Sequence, residues 1–131
     1  MSRDKVLIVD DEKLVRWSLR QKCEEWVYQT VEAENGQAGL KVAHNESPDL
    51  VLLDVRLPDI GGLEVLQQLK HNGDARAVIM ITADPQLDDV KAALKLGAYD
   101  FVGLRSVPLW LRSRDRIAAS TSASVCPCAI A

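Results

Sequence analysis

Three unbroken apolar runs constrain this chain more than any other feature: Val6-Leu7-Ile8-Val9, Leu50-Val51-Leu52-Leu53 and Ala77-Val78-Ile79-Met80-Ile81. A strand with one wet face alternates apolar and polar residues, whereas a parallel strand covered on both faces reads as a continuous run. These runs therefore predict a parallel sheet with helices on both sides. The intervening segments carry helical spacing, with apolar stripes at Val15, Leu19, Cys23 and Trp26-Val27, at Leu40 and Ala43, at Leu63, Leu66 and Leu69, and at Val90, Ala93 and Leu94. Punctuation falls where each unit should end. Asn35-Gly36 marks a turn, Ser47-Pro48 stops a helix, Pro58 to Gly61-Gly62 forms a loop, and Asn72-Gly73 closes the next helix. Asp84-Pro85 is expected to open a helix, with Asp as cap and Pro in the first turn, and Gly97 suits its C-terminal cap. Gln29 to Ala33 and Tyr99-Asp100-Phe101-Val102 supply two further strands.

The resulting βαβαβαβαβ pattern, running to about residue 103, predicts a doubly wound α/β fold with five parallel strands. Right-handed crossovers restrict the topology, and the flavodoxin-like order 2-1-3-4-5 sets the first and third strands side by side. Both strands run into acid: Asp10-Asp11 after the first, Asp54 after the third. Ligands of open α/β sheets bind at the carboxyl ends of strands, so three carboxylates are expected in one pocket. They cannot all stay charged at close range without a cation among them, and a hard divalent ion, Mg2+, is the natural partner of such oxygens. One aspartate there is explained by helix capping alone. Two on one strand end and a third on its neighbour favour a metal pocket that binds or makes a phosphoryl group.

Size and charge narrow the rest. A chain of 131 residues with 47% apolar content fits one globular domain. The net charge of -3 argues against direct nucleic-acid binding. With no signal-peptide or membrane-spanning run, the expectation is a soluble cytoplasmic protein that makes no membrane contact. Cys23 reads as a small core residue, and Cys126 and Cys128 as incidental tail residues without enough companions for a metal site. His44 and His71 read as solvent-facing, Trp110 equally as an interface residue or a helix-packing residue, and Arg112, Arg114 and Arg116, diluted by Asp115, as a solvated face.

The stretch Val6-Leu7-Ile8-Val9-Asp10-Asp11-Glu12 resembles the opening of bacterial two-component response-regulator receiver domains. So do Pro48-Asp49-Leu50-Val51-Leu52-Leu53-Asp54-Val55-Arg56-Leu57-Pro58-Asp59-Ile60-Gly61-Gly62, Met80-Ile81-Thr82-Ala83 and Gly97-Ala98-Tyr99-Asp100-Phe101, in the same order. Arg16-Trp17-Ser18-Leu19 and Ala83-Asp84-Pro85 are most similar to receivers of nitrogen-regulatory-type activators that use the alternative sigma factor. The resemblance implies a CheY-like fold and a switch rather than an enzyme. It implies Asp54 as phosphoacceptor, served by a sensor histidine kinase, in control of transcription. It implies Mg2+ on Asp10, Asp11, Asp54 and the backbone carbonyl of Arg56. Thr82 would meet the new phosphoryl group, and Phe101 would be the aromatic switch. Taken alone, Thr82 is an ordinary strand-end residue and Phe101 an ordinary core aromatic.

The resemblance breaks after residue 103. The family carries Lys-Pro at the end of the fifth strand, where this chain has Leu104-Arg105. Leu104 cannot reach a phosphoryl group, and Arg105 is one residue out of register, which on a strand points it to the other face. Without proline a cis bond costs about 3–4 kcal/mol, so a trans Leu104-Arg105 bond is expected. The fifth helix is therefore expected to be altered or missing. Val107, Trp110, Leu111 and Ile117 allow a helix from about Pro108 to Ala119, which would close a receiver domain over 1–119 and leave 120–131 as a poorly specified tail. A reading-frame change or truncation would explain so abrupt a loss, and an altered last helix would expose apolar surface and favour self-association. Two other functions compete. One is a degenerate receiver that binds its partner without phosphorylation, motivated by the missing lysine. The other is a Mg2+-dependent aspartyl phosphatase, which the sequence disfavours because Asp54-Val55-Arg56 lacks the second acid of an Asp-x-Asp nucleophile motif.

Overall fold

A computed structural model describes residues 4–74 and 77–103. Strands β1 (Lys5–Val9), β2 (Gln29–Ala33), β3 (Leu50–Asp54), β4 (Ala77–Thr82) and β5 (Asp100–Gly103) alternate with helices α1 (Lys13–Glu25), α2 (Gly36–Glu46), α3 (Gly62–Asn72) and α4 (Leu87–Lys95). The strands form one parallel sheet in the order β2-β1-β3-β4-β5, as the run pattern predicts. The continuous apolar runs are buried on both faces because the pleat sends alternate residues to opposite sides. Val6, Ile8, Leu50, Leu52, Ile79 and Ile81 join Leu19 and Cys23 of α1 in one core layer. Leu7, Val9, Val51, Leu53, Val78 and Met80 meet α2, α3 and α4 in the other. Cys23 is fully buried, and burial pushes its thiol up to about 12, so it remains an inert core residue.

Three local expectations are corrected. Helix α4 opens at Leu87, not at Asp84-Pro85. The Asp84 N–H donates to Thr82 Oγ1 at 3.3 Å, so Asp84 closes a turn around the threonine hydroxyl instead of capping a helix. Leu94, expected inside, is 50% exposed: the buried face of α4 is centred on Ala93, and the next residue stands about 100° further round the helix. Val27 likewise leaves the α1 stripe and is 48% exposed. The Tyr28 N–H bonds the Cys23 carbonyl and the Val27 N–H bonds that of Glu24, the paired bonds of a Schellman ending, with Cys23 and Tyr28 buried. That ending places Val27 at φ +67°, where an L-residue costs about 1–2 kcal/mol. Glycine would remove this cost and return about 0.5–1 kcal/mol as chain entropy. Val27→Gly is therefore expected to raise the unfolding free energy by roughly 0.5–1 kcal/mol. A urea melt checks this; a destabilised variant would contradict it.

The expected features after residue 103, including the Leu104-Arg105 bond, the 108–119 helix and the 120–131 tail, lie outside the described residues.

Candidate functional site

The register places the site. Val9 of β1 pairs with Leu53 of β3, so Asp10 and Asp54 follow at the same level on adjacent strands. Asp54 in turn pairs with Ile81 of β4, which sets Thr82 one residue beyond it. Asp10, Asp11 and Asp54 each offer an oxygen, and the three lie within 4.8 Å of one another. A cleft of about 310 Å³ opens there, lined by these three residues with Arg56, Thr82 and Asp84 among others. The convergence expected of the carboxylates is thus present, and Arg56 and Thr82 border the same space.

Electrostatics mark the cluster as unbalanced. Asp54 is pushed up to about 6, first by burial and next by the Asp10 charge, against the lowering effect of the Arg56 N–H, which donates to Asp54 Oδ1 at 3.2 Å. Asp10 is buried and also raised; desolvation is the main cause, and the bond from the Glu12 N–H to its Oδ1 at 2.9 Å opposes it. Two neighbouring carboxylates held above their ordinary range are the state a cation would relieve. The donors are all hard oxygens of the kind Mg2+ takes, so the residues fit that ion. The Arg56 side chain faces away toward α4, with Nη2 3.5 Å from Asp89 Oδ2.

Thr82 is buried at the end of β4. Its Oγ1 accepts from the Asp84 N–H, a bond that does not itself use the hydroxyl proton. Phe101 pairs with Met80, and Thr82 with Gly103, so Phe101 and Thr82 lie on the same face of adjacent strands. Phe101 is half-buried against the α4 side of the core. His44 and His71 are both exposed, as expected, with His44 Nδ1 3.4 Å from Asp74 Oδ1.

Two supports of the site escaped the sequence reading. Asp59, in the loop after β3, accepts from the Gly36 and Gln37 N–H groups, both at 2.8 Å. These backbone bonds, Gln37 first, hold its carboxyl below the usual range. They tie the loop that follows Asp54 to the start of α2, 22–23 residues away in sequence, and nothing local signals such a link. The second support is Gly62, whose N–H donates to the Val55 carbonyl at 2.8 Å. A Cβ there would overlap the Asp54 carbonyl oxygen and come within 2.8 Å of Val55 Cα.

Fold and site together define a doubly wound α/β domain with a cation-type carboxylate cleft at its topological switch point. Residues 6–103 match the family described as the response regulator receiver domain, and the chain belongs to that family. It is 39% identical over 98 residues to sporulation initiation phosphotransferase F of Bacillus subtilis, covering 75% of this chain and 79% of that protein. It is 38% identical to the alkaline phosphatase synthesis transcriptional regulatory protein PhoP of the same organism, over 75% of this chain and 41% of that one. The chain thus spans less than half the length of PhoP. The solved CheY-like receiver domain from Methanospirillum hungatei superposes with a TM-score of 0.81 at 26% identity, covering 94% of this chain and all of that one. No described helix is long and apolar enough to cross a membrane.

Proposed function

We propose that this chain is a phosphorylatable signalling switch whose acceptor is Asp54. The supporting observation is the meeting of Asp10, Asp11 and Asp54 within 4.8 Å at the end of the β1–β3 pair. Asp10, Asp11, Asp54 and the Arg56 carbonyl would hold Mg2+, which when bound supplies charge neutralisation for the transferring phosphoryl oxygens. Phosphoryl transfer asks a protein mainly for positioning and electrostatic stabilisation. A carboxylate oxygen of Asp54 forms the bond to phosphorus as the bond to a phosphohistidine nitrogen of a sensor histidine kinase breaks. The leaving nitrogen keeps the electron pair. The Arg56 N–H orients the Asp54 carboxylate, and the Thr82 hydroxyl turns its proton to the new phosphoryl oxygens. Movement of Thr82 clears space on the face it shares with Phe101, and the ring follows inward, since packed cores switch between discrete arrangements.

Output through transcription is part of the same proposal. PhoP is a transcriptional regulatory protein by name, whereas phosphotransferase F is a phosphotransferase of sporulation initiation by name. The finer resemblance to nitrogen-regulatory-type activators rests on Arg16-Trp17-Ser18-Leu19 and Ala83-Asp84-Pro85 alone. Leu104 in place of the usual lysine leaves acceptance at Asp54 in place and weakens the relay of charge to the output surface.

Acetyl phosphate with Mg2+, followed by intact mass, tests the proposal. One phosphoryl adduct is expected on the wild type and none on Asp54→Ala. An unmodified wild type, or an adduct that persists in the variant, would overturn it.

A further inference from the structure

The turn that carries Asp10 and Asp11 has an unusual anchor. The backbone N–H of Asp10 extends the β1–β2 ladder by donating to the Ala33 carbonyl at 3.2 Å, but its carbonyl lies past the end of that ladder. Arg16, one turn into α1, reaches back and donates from Nη1 to that carbonyl at 2.7 Å. The other side of the same guanidinium meets β2, with Nε 3.3 Å from Glu32 Oε1. Arg20, one turn further along α1, places its Nη1 3.2 Å from Glu32 Oε2, which holds Glu32 from the far side. The Arg16 side chain is only 13% exposed, so this charge is committed to the interior and not to solvent.

We propose that Arg16 is a positioning residue for the cation: gripped between the Asp10 carbonyl and Glu32, its guanidinium fixes the Asp10–Asp11 peptide so that both carboxylates point at Asp54. The inference rests on the metal-dependent reading above. The planar fork of arginine suits the task, because it donates in two directions from one rigid group, whereas an ammonium is a point charge on a flexible stem.

Charge and geometry predict opposite signs. A cation beside the cluster repels Mg2+, so electrostatics alone would make Arg16→Met bind Mg2+ more tightly. Positioning makes it bind more weakly, and groups that orient metal ligands are typically worth about 10–100-fold in affinity. Calorimetric titration of the wild type, Arg16→Met and Arg16→Lys with Mg2+ alone at constant ionic strength separates the two. At least a tenfold rise in Kd is expected for both variants, the lysine failing despite its retained charge. In 15N spectra of Arg16→Lys, the Asp11 and Glu12 amides should shift while those of α3 stay in place. Equal or tighter binding by Arg16→Met, or wild-type binding by Arg16→Lys, overturns the inference. If Arg16→Met does not fold, Arg16→Lys decides alone. If neither variant folds, Glu32→Ala decides: it frees one side of the guanidinium and should shift the Asp11 amide, and an unmoved amide overturns the inference. A wild type that binds no Mg2+ defeats the metal-dependent reading itself, an outcome distinct from a binding wild type with unaffected variants.

Discussion

Asp54→Asn is expected to make the cation-free protein more stable while destroying its ability to accept a phosphoryl group. A carboxyl held at about 6 in the fold and near 3.9 in the unfolded chain keeps its proton more readily when folded. Between those two values the native state binds more protons, so this group's contribution to stability falls as pH rises through the window, then levels off. Two full units correspond to about 3 kcal/mol. Asp54 is only partly buried, and solvent screening reduces the expected gain for the asparagine to about 1–2 kcal/mol at pH 7.5. The gain should shrink toward zero near pH 3.5. Mg2+ should reverse the ranking: an ion at a hundredfold excess over its Kd adds about 2.7 kcal/mol to the form that binds it. Thermal melts of both proteins at pH 3.5 and 7.5, with and without Mg2+, give the full comparison. A wild type that is the more stable of the two at pH 7.5 without cation would show that the carboxylates do not repel as described.

The second large effect sits at Gly62. A methyl group there would strike the backbone at the Asp54 end of β3, where no side-chain rotation gives relief. Forced overpacking costs about 1–3 kcal/mol and occasionally more. Gly62→Ala is placed at the top of that range, about 3 kcal/mol, a fall in Tm of roughly 10 °C for a domain of this size. Its neighbour provides the control. Gly61 has φ -65°, and a Cβ built on it meets no atom within 4 Å, so Gly61→Ala should melt within a degree or two of the wild type. Equal behaviour of the two variants would refute the close approach of α3 to the end of β3. Because the collision involves Asp54 itself, Gly62→Ala should also lose Mg2+ affinity in whatever fraction remains folded.

Much of this architecture was legible in the residues. Continuous runs ending in Asp10-Asp11, Asp54 and Thr82 specify buried parallel strands and put acid or hydroxyl at their carboxyl ends, because burial on both faces leaves a strand no polar positions except its ends. Once the strand order is limited by chirality, the meeting of the three carboxylates follows, and the observed cluster agrees. Local chemistry served less well where two signals competed. Asp84-Pro85 has the makings of a helix start, yet its amide is captured by Thr82, and the helix begins three residues after Asp84. The stripe through Trp26-Val27 has helical spacing, yet the chain turns there to enter β2.

The sequence by itself determined which segments are strands, which are helices and which residue types stand at the strand ends, because those choices depend on burial period and local backbone preference. Only the tertiary structure decided that Gly62 and not Gly61 must lack a side chain, that Asp59 holds the start of a distant helix, and that Arg16 reaches the Asp10 carbonyl. Each of these is set by the approach of segments far apart in the chain or by the path of one side chain across a turn. Residue spacing carries no record of such distances; the packing of the sheet against its helices creates them.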